Sequence, residues 1–273
     1  MDDETRLTIF WIAFAVVMLL FIVAIGVNVS IWWQGALYEN GRRVEKRKLG
    51  SLIRIVFKGI FSKRFWMALK AFVLDAALQR KLFKEDFLRW LGHASLSISF
   101  FALFLLSAFT GFFEEGLHRI LGVDTPFVRT VIDKNTPIMA LLNEALGIII
   151  VLGLLIIIFR RYVLRPKQLS ASVMDNTVII LLLILVLTSY PVESLRYLRD
   201  GFPEVGWHSF FGYQLGLLLE PLNWNWGAVH FWAFMVHFGS AAALLLYLPF
   251  SKFVHVFISP LVIAINGVAE EAA

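Results

Sequence analysis

The chain has 273 residues, of which 59% are hydrophobic and 16% are charged, and its net charge is +5. These values, with a mean hydropathy of +0.76, exclude a soluble globular protein and predict an integral membrane protein. The sequence contains no cysteine, which excludes disulfides, thiolate metal sites and cysteine-ligated iron–sulfur clusters within this chain. The six histidines are therefore the principal soft ligands available for a metal cofactor.

Five apolar runs predict an all-α membrane bundle of five transmembrane helices that forms a single domain over residues 1–273. The spans are expected at residues 7–33, 87–113, 137–159, 177–190 and 226–248. The first run exceeds the core of a signal peptide and lacks a basic start and a small-residue cleavage site, so we expect it to be retained. Pro191 is expected to end the fourth span because proline has no backbone donor. Residues 192–225 are then the longest predicted loop.

The region between the first two spans is strongly basic, with 14 lysine or arginine residues and four acidic residues from Arg42 to Arg89. Apolar residues recur there at helical spacing, which predicts amphipathic helices on the membrane surface at about residues 51–84, broken near residues 59–62. If the basic segments face the cytoplasm, that side has 19 lysine or arginine residues and the other side has six. The positive-inside rule then predicts a multi-pass protein of the cytoplasmic membrane, with the N-terminus outside and the C-terminus inside. The positive net charge is therefore explained by the orientation of the protein in the lipid membrane, and we expect no nucleic-acid partner.

The last span carries histidines on one face and gives the main functional prediction. His237 and His255 are 18 residues apart, which is five turns and about 27 Å of a continuous helix, close to the roughly 30 Å hydrocarbon core of a bilayer. His93 is expected at the same inner face as His255, and these two residues are predicted to be the axial ligands of a haem b. His237 lies nearer the outer side, where Leu103 occupies the facing position on the second span and cannot ligate iron.

Each histidine also has a structural interpretation. A histidine within a membrane helix can hydrogen-bond a neighbouring helix, and one at a helix end can cap carbonyls or lie among headgroups. His230 lies seven residues before His237 and therefore on nearly the same face, which makes it a weaker candidate ligand. His118 and His208 fall in predicted loops, where a solvated position is expected.

Glu144 is an ionisable residue in the outer half of the third span. Ionisable groups at membrane depth are costly and indicate function, and a role as proton acceptor at a quinol site would suit this carboxyl group. The alternative is a side chain that extends to the outer interface from the first two helical turns.

The segment Pro249-Phe-Ser-Lys-Phe-Val-His255 resembles the end of the last helix in the membrane cytochrome b subunit of respiratory nitrate reductase. In that family too, a histidine is followed 18 residues later by another, as His237 is here. Further matches are the link Arg160-Arg161-Tyr-Val-Leu-Arg-Pro166, Asp175 at the start of the fourth span, and His93. The family has a second histidine ten residues after the first on the second span, where this chain has Leu103.

The basic insertion that ends at Arg89-Trp-Leu-Gly-His93 is instead similar to the related subunits of heterodisulfide reductase and of the sulfite-reduction-associated membrane complex. The resemblance implies a haem b subunit, with His93, His255 and His237 as axial ligands of one haem or two. Such a subunit oxidises a quinol of the membrane pool, or methanophenazine, and passes the electrons to a cytoplasmic iron–sulfur subunit. The lack of cysteine agrees with this role, because the clusters would have to lie in a separate protein.

Two other functions stay open at this stage. A transporter of small molecules or ions is one of them, although the chain has no internal repeat and few helices broken by glycine or proline at mid-membrane depth. The other is a non-catalytic membrane anchor whose histidines are structural.

Overall fold

The computed structural model describes residues 3–33, 37–39, 42–44, 63–166, 173–203 and 206–251. Five helices in these ranges are long and apolar enough to cross a membrane, which confirms the predicted all-α membrane bundle. The chain divides into two compact units, Met1–Glu85 with Leu245–Ala273, and Asp86–Leu244.

The first unit begins with a 31-residue membrane helix. Its described elements are α1 (Asp3–Trp33), the short antiparallel strands β1 (Leu37–Glu39) and β2 (Arg42–Val44), α2 (Lys63–Ala71), a π-helical continuation (Phe72–Ala77) and α3 (Arg80–Glu85). The helices from residue 63 onward agree with the second part of the predicted amphipathic segment. Residues 51–62, with the predicted break, lie outside the described residues.

The second unit contains the helices that position the candidate site. They are α4 (Phe87–Gly111) with a π-helical continuation (Phe112–Ile120), α5 (Pro126–Ile132), α6 (Pro137–Phe159), α7 (Val173–Asp200), α8 (Phe210–Leu219) and α9 (Trp226–Tyr247). Helix α4 begins at Phe87 because the Asp86 carboxylate accepts a hydrogen bond from the Arg89 N–H at 2.9 Å. The predicted starts of the second, third and fifth spans therefore match the structure.

The prediction that Pro191 ends the fourth span is wrong. Pro191 lies inside α7, which continues to Asp200. Proline removes one backbone donor from the helix, at a cost of about 3 kcal/mol, but the residues after it are among the most buried of the chain. Ser194 and Tyr197 have no exposed surface, and the burial of this last part of α7 outweighs the local cost.

The prediction of a long loop at residues 192–225 is also wrong. Besides the end of α7, this stretch contains α8 and two 3₁₀ turns, at Gly206–His208 and Glu220–Leu222. Helix α8 packs on α7 through two glycines. At Gly216, an added Cβ would lie only 3.2 Å from the Ser194 carbonyl oxygen, so the absence of a side chain permits the close approach.

The last span does not continue as one helix towards His255. Helix α9 ends at Tyr247, a 3₁₀ turn follows at Leu248–Phe250, and Ser251 is extended. Pro249 cannot supply the N–H that an α-helix would need at that position. The five-turn relation between His237 and His255 therefore fails, and His255 itself lies outside the described residues.

Helices α4 and α6 pack closely because small residues face each other between them. A Cβ at Gly153 would lie 2.8 Å from the Leu96 nitrogen and 3.0 Å from the Gly92 oxygen. Small residues allow this backbone approach in membrane bundles, where van der Waals contact replaces the hydrophobic effect as the cause of helix association. The close packing of α4 and α6 fixes the position of α6, and therefore the position of Glu144.

Candidate functional site

Glu144 is buried inside the protein and is 1% exposed. Its Oε1 atom accepts a hydrogen bond of 3.0 Å from the backbone N–H of Phe211, in the first turn of α8. N–H groups in the first turn of a helix have no partner within that helix and attract negative charge. The carboxyl group is therefore held between α6 and α8 and does not extend to the surface of the protein.

Two polar atoms near this carboxylate have no hydrogen-bond partner among the described residues. They are the second carboxylate oxygen of Glu144, Oε2, and the hydroxyl of Tyr190. The Tyr190 ring packs edge-on against Phe211, with ring centroids 4.9 Å apart, and its hydroxyl lies 3.1 Å from where a Cβ of Gly147 would be. Gly147 thus leaves room for the hydroxyl next to α6, one turn from Glu144. Unpaired buried polar groups are costly and call for an explanation.

Glu193 on α7 is a further carboxylate in this region, and it was not among the site residues predicted from the sequence. Its Oε1 atom accepts a 2.8 Å hydrogen bond from Ser209 Oγ and lies 3.7 Å from an Arg196 nitrogen. Its side chain packs over Gly212, where an added Cβ would lie 2.9 Å from the Glu193 Cγ. Glu144 and Glu193 therefore both contact the first turn of α8. Glu193 could have been found from the sequence by continuing the helix of the fourth span past Pro191.

His237 contacts α7 through one ring nitrogen. Its Nδ1 atom lies 3.0 Å from Thr188 Oγ1, and the single hydroxyl proton of Thr188 is directed to the Ile184 and Leu185 carbonyls at 2.8 and 3.0 Å. The hydroxyl oxygen can then accept from an Nδ1–H group, and this arrangement places the proton of the neutral ring on Nδ1. In this tautomer, Nε2 of the neutral ring keeps a lone pair, which is the state that binds a metal.

The His230 ring carries its proton on the other nitrogen. Its Nδ1 atom lies 3.3 Å from an Arg199 nitrogen, and a guanidinium group can only donate. Nδ1 of His230 therefore accepts, so the proton of the neutral ring lies on Nε2. The geometry favours His237 over His230 as a ligand.

The predicted pair of His93 and His255 stays a prediction, because His255 lies outside the described residues. His93 is exposed on α4, beside Gly92, which faces α6. Among the described residues, no group of three or more histidine, aspartate or glutamate side chains could hold a metal ion. A haem with two axial histidines needs no such group.

At the opposite end of the helices from Glu144, ion pairs join α4, α6 and α7. Arg160 lies 2.7 Å from Asp86, and Arg161 lies 3.8 Å from Asp175. The Arg89 N–H and the Arg160 guanidinium both donate to Asp86 and hold the pKa of its carboxyl group below the usual value. The arginine link noted in the sequence thus connects the three helices at this end.

Comparison with known proteins identifies the family. The family model of the nitrate reductase gamma subunit matches residues 122–267. The chain belongs to this family. The match covers α5 to α9, and so includes Glu144, Glu193, Thr188 and His237.

Two relatives are similar to the chain over nearly its full length. Both are subunits of a dihydromethanophenazine:CoB–CoM heterodisulfide reductase. The protein from Methanosarcina mazei is 25% identical over 97% of this chain and 96% of its own length, and the one from Methanosarcina thermophila is 26% identical over 97% and 95%. No solved structure gives a significant match. The family and these relatives identify a multi-pass membrane protein with a role in electron transport by an oxidoreductase complex.

Proposed function

We propose that the chain is the haem b membrane subunit of a respiratory complex. In this proposal it oxidises a quinol, or a methanophenazine-like carrier, near the end of the bundle where Glu144 lies. It then passes the electrons to an iron–sulfur partner subunit on the cytoplasmic side. The family match and the dihydromethanophenazine named in the two relatives support the class of reaction.

The state of His237 is the observation that carries the proposal. Histidines that ligate metals donate their other ring N–H to a neighbouring acceptor, which fixes the ring and its tautomer. Thr188 is such an acceptor, at 3.0 Å from Nδ1, and it leaves the Nε2 lone pair for iron. A haem held there would supply one-electron transfer. His93 and His255 remain the proposed ligands on the inner side.

Oxidation of such a carrier also releases protons, which need an acceptor. Glu144 Oε2 is buried and accepts no hydrogen bond from the described part of the chain, so it can take a proton from a carrier O–H or N–H. The Tyr190 hydroxyl, likewise without a described partner, can bond a polar atom of the same carrier. These residues fit the oxidation of a carrier that transfers both electrons and protons.

The partner subunit follows from what this chain lacks. Iron–sulfur clusters are held by cysteine thiolates, and the chain contains no cysteine. The clusters must therefore lie in another protein, docked at the cytoplasmic face where the basic residues between Arg42 and Arg89 are proposed to lie. The proposed orientation, with the N-terminus outside, follows from the same charges.

The proposal is tested by the reduced-minus-oxidised absorption spectrum of the purified chain. We expect a b-type haem signal that decreases in His237→Ala and, independently, in His255→Ala. His118→Ala is the matched control, since His118 is exposed in the π-helical continuation of α4, and it should leave the spectrum unchanged. A chain with no b-type signal would refute the proposal.

A further inference from the structure

We propose that Arg161 is the binding site for an oxyanion of a bound molecule, a phosphate or carboxylate group whose two oxygen atoms fill one edge of the guanidinium group. Arg161 lies in the π-helical turn that continues α6 from Arg160 to Leu164. The inference does not depend on the proposed function, because it rests on the contacts of Arg161 itself.

The Arg161 side chain is buried, with 9% of its surface exposed, and two of its nitrogens have no hydrogen-bond partner among the described residues. These are Nε and Nη2, which lie on the same edge of the planar guanidinium group. Both nitrogens carry N–H donors, because this group stays protonated in proteins. A buried donor without a partner costs free energy, and the cost is greater for a charged group. This edge of Arg161 therefore calls for an acceptor.

The same edge of the guanidinium group binds a carboxylate in three other arginines of this chain. In Arg80, Arg129 and Arg199, Nε donates to one oxygen of a nearby aspartate and Nη2 donates to the other, at distances of 2.5–3.2 Å. Guanidinium geometry favours such bidentate pairs, and phosphate oxygens fit the same fork. The unpaired edge of Arg161 thus has the shape and the charge to bind an oxyanion.

Asp175 does not take this place. Its Oδ2 atom lies 3.8 Å from Nη2 of Arg161, which is beyond hydrogen-bond length. Asp175 is in the first turn of α7, where the helix dipole stabilises a negative charge. The neighbouring Arg160 is already paired with Asp86 at 2.7 Å. The described residues therefore offer this edge of Arg161 a distant counter-charge and no hydrogen bond.

The position of Arg161 along its span indicates which molecules can supply the oxyanion. Helix α6 has 23 residues, or about 35 Å at 1.5 Å per residue, which exceeds the roughly 30 Å hydrocarbon core of a bilayer. Arg161 follows this helix and therefore lies at the depth of the lipid headgroups, where basic sites between helices bind lipid phosphates. The haem proposed at His93 is the second source, through the carboxylates of its propionate groups. His93 belongs to the same end of the bundle, since a Cβ at Gly92 would lie 2.9 Å from Ile156.

The first test measures the binding of phosphatidylglycerol to the purified, delipidated chain by native mass spectrometry. If a lipid phosphate fills the fork, Arg161→Gln should bind this lipid about 10–100-fold more weakly, the usual effect of losing hydrogen bonds to a charged group. Arg165→Gln is the matched control, because it removes the same charge four residues further on, where Nε donates to the Tyr162 carbonyl at 2.7 Å. It should bind the lipid nearly as tightly as the unmodified chain. Diacylglycerol, which has no phosphate, should not distinguish Arg161→Gln from the unmodified chain.

The second test compares the binding of haem b with that of its dimethyl ester, in which both carboxylates are neutral. If a haem carboxylate fills the fork, the unmodified chain should bind haem about 10–100-fold more tightly than the ester, and Arg161→Gln should not distinguish the two. A chain that binds no haem would refute the proposed function, while the lipid test would still decide whether Arg161 binds a phosphate. If Arg161→Gln behaves like Arg165→Gln towards both the lipid and the haem, the inference is overturned.

Asp175→Asn provides a test that does not depend on the folding of Arg161→Gln. This variant leaves Arg161 in place and removes the nearest competing negative charge, which lies 3.8 Å from Nη2. The molecule that fills the fork, lipid or haem, should therefore bind more tightly to Asp175→Asn than to the unmodified chain. Unchanged binding of both molecules by this variant would overturn the inference.

Discussion

Replacing Thr188 by valine tests the state of His237 directly. The hydroxyl of Thr188 lies 3.0 Å from His237 Nδ1, and it can accept from this nitrogen while it donates to its own helix. Valine has nearly the same shape as threonine but no oxygen, so the helices keep their packing and the His237 N–H loses its acceptor. The ring can then rotate, or move its proton to Nε2, and either change withdraws the lone pair proposed to bind iron.

The size of the effect can be estimated in two ways. An orphaned buried donor costs about 1–3 kcal/mol. Loss of the outer hydrogen-bond partner of a metal-bound histidine lowers metal affinity about 10–100-fold, which corresponds to about 1.4–2.8 kcal/mol. We therefore expect Thr188→Val to lower the haem affinity by at least about tenfold.

The assay is titration of haem into the purified apoprotein, with Thr188→Ser and Thr177→Val as controls. Serine keeps the hydroxyl and should keep the affinity. Thr177 lies on the same helix and donates to the Val173 carbonyl at 3.0 Å, so its replacement by valine has the same chemistry away from His237. Equal haem affinities for Thr188→Val and Thr177→Val would refute the assignment of His237 as a ligand oriented by Thr188.

Two further predictions concern the helices that carry the site. Gly153→Ala should lower the free energy of unfolding in detergent by about 1–3 kcal/mol, because the new Cβ would lie 2.8 Å from the backbone of α4. The control Gly239→Ala should not lower it, because a Cβ at Gly239 has nothing within 4 Å. Equal melting temperatures for the two variants would contradict this account of the packing. The folded pKa of Asp86 is lowered, so its pairing stabilises the protein above the ordinary value of 3.8 and is lost as the pH falls through the lower folded value. Asp86→Asn keeps the capping oxygen and should lose this dependence of stability on acid pH in circular dichroism titrations. An unchanged loss of stability at acid pH in the variant would contradict the role of Asp86.

The membrane helices were largely predictable from the sequence. Long apolar runs leave a chain few alternatives to helix inside a bilayer, because every backbone donor and acceptor must be paired within the segment. The starts of α4, α6 and α9 at Phe87, Pro137 and Trp226 follow from this constraint and from local caps. Glu144 could be singled out from the sequence, because a carboxylate seven residues into an apolar helix needs either protein or water around it, but the sequence did not decide between burial and extension to the interface.

The stretch from Pro191 to Asn225 could not be predicted in the same way. A proline is a strong local signal for a helix end, but its cost of about 3 kcal/mol is smaller than the gain from burying the residues after it. Tyr197 is fully buried and stacks on Phe202 with ring planes 11° apart. Such contacts join residues that local pattern does not relate, and they decide both the length of α7 and the place of α8. The state of His237 is equally non-local, since its partner Thr188 is 49 residues away.

The continuation of α7 through Pro191 has a direct consequence for function. Thr188 and Glu193 stand on one helix, five residues and about 7.5 Å apart along its axis. Had the helix ended at Tyr190, Glu193 would lie on a loop with no fixed relation to His237. Instead, His237 contacts α7 at Thr188, and Glu193, which accepts a hydrogen bond from Ser209, lies about one and a half turns further along the same helix. A carrier that reaches Tyr190, between these two positions, would be close both to the proposed haem ligand His237 and to the carboxyl groups near α8, as a coupled loss of electrons and protons requires.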